Sequence, residues 1–267
     1  MPHPPRILLT NDDGVDSPTL LPLYRALRGW AEVDVVVPAT ERSWIGKAIT
    51  RFGALRVWRE RRAEEEWIVV DGLPADCINL GIHSLGLARP NLVVSGVNLG
   101  LNFGLAFVLS SGTVGAALES WIAGVPAIAF SMAIPNDAYG LSGPARQVAL
   151  GPRVERASEV ASELTRTLWA HGMPAGVDAF SVNMPADVSA HTPRRVGRVA
   201  RTRYGPLFAP TGNGEFRHRF SYLEPLEQGA DTDVALVSQG LVAITPLKLE
   251  LSASVPESLR QAWERGS

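Results

Sequence analysis

The first forty residues constrain the fold most. An apolar run, Arg6 to Thr10, breaks into "NDDG", Asn11 to Gly14. Leucines at 20, 21, 23 and 27 then recur at helical spacing behind Pro18, which a helix accepts in its first turn. A second apolar run follows, "EVDVVVPA", from Glu32 to Ala39. Strand, acidic loop, helix and strand in that order make a βαβ unit, whose second strand lies parallel to the first. The loop then falls at the carboxyl end of strand one, where open α/β sheets bind ligands. Adjacent carboxylates repel, so Asp12 and Asp13 need a compensating charge or open water there.

The rest of the chain extends this pattern. Ala54 to Arg59 and Trp67 to Val70 read as strands, with the charged run Arg59 to Glu66 as a solvated turn between them. A helix is expected after Pro74 and a buried strand at Leu92 to Ser95. Gly96 to Gly115 is rich in glycine and small polar residues, too loose for a regular core element. A helix from Thr113 to Trp121 and a strand in "GVPAIAFSMA" follow. Pro135 to Gly151 reads as turn-like, Val154 to Trp169 as an amphipathic helix, and Ala179 to Asn183 as a strand. Arg194 to Phe220, with more arginine and aromatics, suggests an extended hairpin or arm. Thr232 to Val237 reads as a helical turn and "GLVAITPL" as a last strand. The organisation expected is an α/β core over 1–190, a protruding arm over 191–230, and a return to the core with a tail over 231–267.

Composition excludes several classes. A net charge of −2 gives no global field for nucleic acid or an anionic membrane, so neither partner is expected. The single cysteine, Cys77, forbids an intrachain disulfide and suits a reducing compartment. Pro2, Pro4 and Pro5 interrupt the start, no apolar segment of signal-peptide type follows, and no apolar run reaches membrane-span length. A cytoplasmic protein is expected. Five histidines form no zinc-binding pattern, and neither GxSxG nor a strict GxGxxG is present. "IGKAIT" lacks the spacing and the Ser or Thr of a phosphate-binding P-loop at Lys47.

Four places carry candidate chemistry. A sharp turn, permitted by Gly14, can bring Asp12 and Asp13 to one centre, and hard divalent cations take carboxylate oxygens. The same residues also suit an Asx-turn or helix cap, with Asn11 beside them. In "VVSGVNLGLNFG" Asn98 follows a strand end and offers a neutral amide oxygen, with Asn102 behind it; a glycine-rich turn uses asparagines equally well. Ser111, Gly112 and Thr113 stand at a helix start, where exposed N–H groups and hydroxyls suit phosphate or simply cap the helix. Ser43 lies in the polar connection after strand two, where its hydroxyl can join a cation or a phosphate.

Taken together, "ILLTNDDGVDSP", "PATERSWIG", "GLPADCINLG", "PNLVVSGVNLGLNFG" and "SGTVGAALE", followed by "SVNMP" and "TDVALVSQGLVAITPL", resemble the ordered signature of the SurE (survival protein E) family. The resemblance implies a Rossmann-like three-layer α/β sandwich with a mostly parallel sheet and a C-terminal extended arm or hairpin, exchanged between subunits of a homodimer or homotetramer. It implies a metal-dependent phosphatase of nucleoside 5'- or 3'-monophosphates, some members also trimming polyphosphate. One Mg²⁺ or Mn²⁺ per subunit would be held by Asp12, Asp13, Ser43 and Asn98. Asp12 and Asp13 are the expected catalytic residues, Asp12 orienting the attacking water, with Asn11, Gly14, Asn102, Ser111, Gly112 and Thr113 supporting the site or the phosphate. The sequence departs from the family pattern at Trp44, where glycine is usual, at Leu73 and at Glu250. A non-catalytic nucleotide or metal sensor, or an α/β transferase holding a metal–diphosphate, would use the same crevice. A structural or interaction protein is the remaining alternative.

Overall fold

Along β1 (Arg6–Thr10) every side chain from Ile7 onward is buried, so the strand lies between two apolar layers. The computed structural model describes residues 4–62, 65–141 and 143–264. After β1 come α1 (Leu20–Arg28), β2 (Glu32–Pro38), β3 (Val57–Arg62), β4 (Glu65–Val70) and α2 (Pro74–His83). Next are β5 (Leu92–Leu99), α3 (Gly104–Ser110), α4 (Gly112–Ile122), β6 (Ala127–Met132), a 3-10 turn (Asn136–Ala138) and α5 (Gly143–His171). The chain continues with β7 (Ala179–Met184), β8 (Arg194–Val196), β9 (Thr202–Tyr204), β10 (Phe208–Gly212), β11 (Glu215–His218) and β12 (Leu223–Pro225). It ends with α6 (Asp233–Ser238), β13 (Val242–Leu247) and α7 (Glu257–Trp263).

Among the described residues nine strands form one sheet in the order β3-β4-β2-β1-β5-β6-β7-β13-β8. Its centre is parallel; β3 runs against β4 and β13 against β7. Alternation in the strands feeds two cores. Ile7, Leu9, Val35 and Val37 pack toward α1 and α5, among Leu20, Leu23, Leu27, Val154 and Ala157. Leu8, Val36 and Val93 face the other way, onto Ile78, Val114 and Ala117 of α2 and α4. The result is a three-layer, Rossmann-like α/β sandwich. The first crossover, β1-α1-β2, is the βαβ unit expected from the leucine spacing, in register from Arg6–Glu32 to Leu9–Val35.

Three expectations need correction. The charged run after Arg59 is mostly strand: β3 and β4 pair as far as Arg62 with Glu65, and residues 63 and 64 lie outside the described residues. β3 is the sheet edge, so its charged side chains stay solvated, and Arg59 meets Glu66 across the ladder at 3.3 Å. The glycine-rich stretch 96–115 is regular over most of its length. β5 continues to Leu99, α3 begins at Gly104, and α4 begins at Gly112. Gly96 makes this possible at φ +124°, because a Cβ there would stand 2.3 Å from the Phe130 carbonyl oxygen. Finally, α5 starts at Gly143 rather than near Val154 and runs through Pro152. Residue 142 lies outside the described residues.

Between β7 and β13, which are neighbours in the sheet, the chain makes a long excursion. Its base is the β9–β12 ribbon and its tip the β10–β11 hairpin, both antiparallel. The segment expected as an arm therefore is a two-tier hairpin, preceded by β8, which adds to the far edge of the sheet beside β13. Among the described residues no single helix is long and apolar enough to cross a membrane.

Candidate active site

The carboxyl end of β1 is built from inside the loop. Asn11 spends its side chain on Gly14: Nδ2 donates to the Gly14 carbonyl at 2.9 Å, and Oδ1 accepts the Gly14 N–H at 3.1 Å. This Asx-type clamp needs Gly14 at φ +90°, where a Cβ would lie 2.8 Å from the backbone of Thr40. Asn11 and Gly14 thus shape the loop without lining the cleft. The clamp turns Asp12 inward, to 4% exposure. Asp13 goes the other way, within 3.4 Å of the Leu99 N–H and 3.5 Å of Ser17 Oγ.

Asp12 sits on the start of α4. Thr113 Oγ1 donates to its Oδ1 at 2.5 Å, and the Thr113 N–H donates to the same carboxylate. Gly112 lets the helix approach: a Cβ there would stand 2.9 Å from both Cβ and Oδ2 of Asp12. Burial raises the Asp12 carboxyl from 3.8 to about 6, while the Thr113 hydrogen bonds pull it back. No arginine or lysine pairs with it among the described residues. Behind Thr113, Asn102 donates to Ser131 Oγ at 2.8 Å and reaches Thr113 Oγ1 at 3.5 Å. Asn183 holds the Asn102 backbone through a 2.8 Å bond to its N–H. Ser111 caps α4, its hydroxyl accepting from the Val114 N–H at 3.1 Å.

The connection after β2 is tied to the same corner by three bonds. The Arg42 N–H donates to the Asp12 carbonyl at 2.7 Å, the Gly46 N–H to the Ser110 carbonyl at 2.8 Å, and Lys47 pairs with buried Glu119 at 2.6 Å. Ser43 therefore reaches the cleft rim, its hydroxyl donating to Glu41 at 2.6 Å. Asn98 lies across from it at the end of β5. Its Nδ2 donates to the Gly100 carbonyl at 2.7 Å, and among the described residues no hydrogen bond engages its Oδ1.

Asp12, Ser43, Asn98, Asn102 and Ser111 line one cleft of about 460 Å³. Thr113 and Gly112 touch it through Asp12, and Asp13 stands just behind. Residues far apart in sequence thus meet at the carboxyl ends of β1 and β5, as the βαβ reading expected. Among the described residues no three His, Cys, Asp or Glu cluster as a metal site. The oxygens that line the cleft are instead the Asp12 carboxylate, the Asn98 amide and the Ser43 hydroxyl, all hard, with the Asp13 carboxylate next in the chain but outside the lining. Together with a buried carboxylate that lacks a cationic partner, this set fits a hard divalent cation such as Mg²⁺ or Mn²⁺.

The other half of the cleft is aromatic, of which the sequence singled out only Trp44, as a departure from the family pattern, and the aromatics of the segment ending at Phe220. Trp44, Phe103, Phe107, Tyr139 and Phe220 line it. Trp44 holds a left-handed backbone, φ 61°, a conformation that costs a bulky residue about 1–3 kcal/mol and persists where its surroundings enforce it. Its ring centroid lies 5.6 Å from Phe107, 5.5 Å from Tyr204, 4.6 Å from His218 and 6.0 Å from Phe220. The last three belong to the excursion. Tyr204 anchors it by hydroxyl bonds to Ser110 Oγ, at 2.5 Å, and to the Ala106 carbonyl. Asp233 holds it from below, accepting the Gly104 N–H at 2.8 Å and the Ala200 N–H at 2.9 Å. The available signal was the density of aromatics around Phe103, Phe107 and Phe220.

Comparison with known proteins places the chain in a family. The model of the family described as "Survival protein SurE" matches residues 7–206. A 5'-nucleotidase SurE of Methanocella arvoryzae is 36% identical over 271 residues, covering 97% of this chain and 99% of that protein. The protein of the same name from Thermofilum pendens is 38% identical over 258 residues, covering 95% of each. The crystal structure of the SurE protein from Aquifex aeolicus superposes with a TM-score of 0.77 at 28% identity, covering 97% of this chain and all of that one. The match runs through every segment that builds the cleft except the far part of the excursion, and on it the chain belongs to the SurE family.

Proposed function

We propose that this chain is a metal-dependent phosphomonoesterase that hydrolyses nucleoside 5'-monophosphates, and 3'-monophosphates as well, to nucleoside and phosphate. The observation that carries the reading is Asp12: a buried carboxylate without a cationic partner among the described residues, seated on a helix start and facing a cleft rimmed by Ser43 and Asn98. The names of the relatives support the substrate class.

Asp12, Asp13, Ser43 and Asn98 would hold one divalent cation. Such a cation, when bound, draws charge off the phosphoryl group during in-line displacement. The chain's own residues do the rest. Thr113 fixes the Asp12 carboxylate and favours its ionised form, so Asp12 orients the attacking water opposite the nucleoside oxygen. Asn102 keeps Thr113 in place from behind. The amino end of α4, with Gly112 and Ser111, presents a partial positive charge toward the phosphate oxygens. The same reading makes the protein a homodimer or homotetramer through its arm, whose Phe208 and Phe216 are exposed in the single chain. Light scattering on the purified protein measures that directly.

The decisive experiment follows phosphate release from 5'- and 3'-nucleoside monophosphates after EDTA treatment, with Mg²⁺ or Mn²⁺ restored. Metal-dependent release that D12N and D13N lose supports the reading. Nucleotide binding without release points to a sensor, and release from polyphosphate alone points to a different substrate.

A further inference from the structure

The aromatic half of the cleft has no part in the hydrolysis itself. It adjoins it in sequence and in space: Trp44 follows Ser43, and Phe107 lies on the helix that leads into Ser111. Trp44 is 40% exposed and lines the cleft, so part of its ring surface remains open beside the rings that brace it. Of the polar groups beside it, Ser110 Oγ is engaged, bonded to Tyr204 and to the Ala106 carbonyl. A wall of this kind offers π-surface and few hydrogen bonds. It therefore recognises a flat apolar ring system by area rather than by its edge pattern.

We infer that Trp44, braced by Phe107 and by His218 and Phe220 of the arm, is a nucleobase-stacking platform that makes the site prefer purine over pyrimidine nucleoside monophosphates. The inference rests on the proposed nucleotidase reading and names its specificity residue. In a nucleoside monophosphate the base lies one ribose away from the phosphate. A phosphate at the Asp12 end of the cleft accordingly places the base toward the aromatic end. A purine presents the larger face to the indole. Because stacking reads ring area rather than edge substituents, adenine and guanine are accepted about equally. The left-handed backbone at Trp44 is where glycine fits without strain, so W44G removes the ring while leaving the loop a comfortable path.

The test compares kcat/KM for AMP, GMP, CMP and ribose 5-phosphate in wild type, W44G and W44F. In wild type the purine nucleotides lead. In W44G the ratio of AMP to ribose 5-phosphate falls roughly 10-fold or more, carried by KM, and the purine preference shrinks; W44F restores most of both. An unchanged ratio in W44G overturns the inference, because a ring with a purely structural role lowers all substrates together. A second measurement is independent of turnover: AMP should quench tryptophan emission in wild type, with the change absent in W44F. Quenching without phosphate release from any substrate would retain the platform and remove the nucleotidase reading. Release of phosphate with no AMP-specific quenching and no ratio change would do the reverse.

Discussion

Thr113 Oγ1 donates to Asp12 Oδ1 over 2.5 Å, joining the start of α4 to the end of β1 across 101 residues of sequence. The bond favours the charged carboxylate that burial opposes. Replacing Thr113 by valine removes the hydroxyl donor, so Asp12 ionises at still higher pH. We expect T113V to lower kcat about 10–100-fold near neutral pH and to move the acidic limb of the pH–rate profile upward, with T113S recovering most of the loss. A valine variant with an unmoved profile would mean the bond is incidental.

The same carboxylate predicts how metal-free stability depends on pH. Its folded pKa, about 6, lies above its ordinary 3.8. The native state therefore holds this proton more tightly than the unfolded chain. Asp12 costs nothing below about pH 4, destabilises progressively as pH rises, and levels off above 6, a loss of about 3 kcal/mol. Urea unfolding of EDTA-treated protein should show this decline, and D12N should lack it. Equal declines in both proteins would assign the titration elsewhere.

Restoring the cation should reverse that cost. Mn²⁺ or Mg²⁺ at a thousand times its dissociation constant stabilises the fold by about 4 kcal/mol, read as a rise in Tm. D12N should abolish the shift, and N98A should weaken it by taking away a neutral oxygen. A full shift in D12N would place the cation away from Asp12.

Gly115 gives a purely steric prediction. A Cβ there would lie 2.3 Å from the Gly46 carbonyl oxygen, so α4 and the Ser43 loop must part. G115A should destabilise the protein by about 1–3 kcal/mol and weaken cation binding as Ser43 retreats. Chemical denaturation and a cation titration measure the two effects separately. Stability loss with normal cation affinity would detach Ser43 from the metal.

The βαβ opening was legible because leucine spacing and two valine-rich runs each obey one period. The acidic loop was legible as a candidate site because a strand end in such a unit is where open α/β sheets bind ligands. The glycine stretch misled for a physical reason. Gly96, Gly104 and Gly112 mark close approaches to Phe130, Thr202 and Asp12, which only the folded neighbours reveal. The charged run at β3 failed for another: an edge strand tolerates charges on its solvated face, so polarity there does not mean a turn. The aromatic wall was hidden because its halves lie far apart in sequence. Nothing local to Trp44 announces Phe220 or His218.

The excursion departs after β7 and returns as β13, its immediate neighbour, so its two roots are fixed side by side in the sheet while Phe220 and Leu223, below its tip, line the cleft. Inheritance can therefore treat the two halves of the pocket differently. Changes in the sheet disturb the Asp12 corner and are costly, whereas changes along the hairpin redraw only the wall. A lineage built this way can exchange one substrate for another without renegotiating its chemistry.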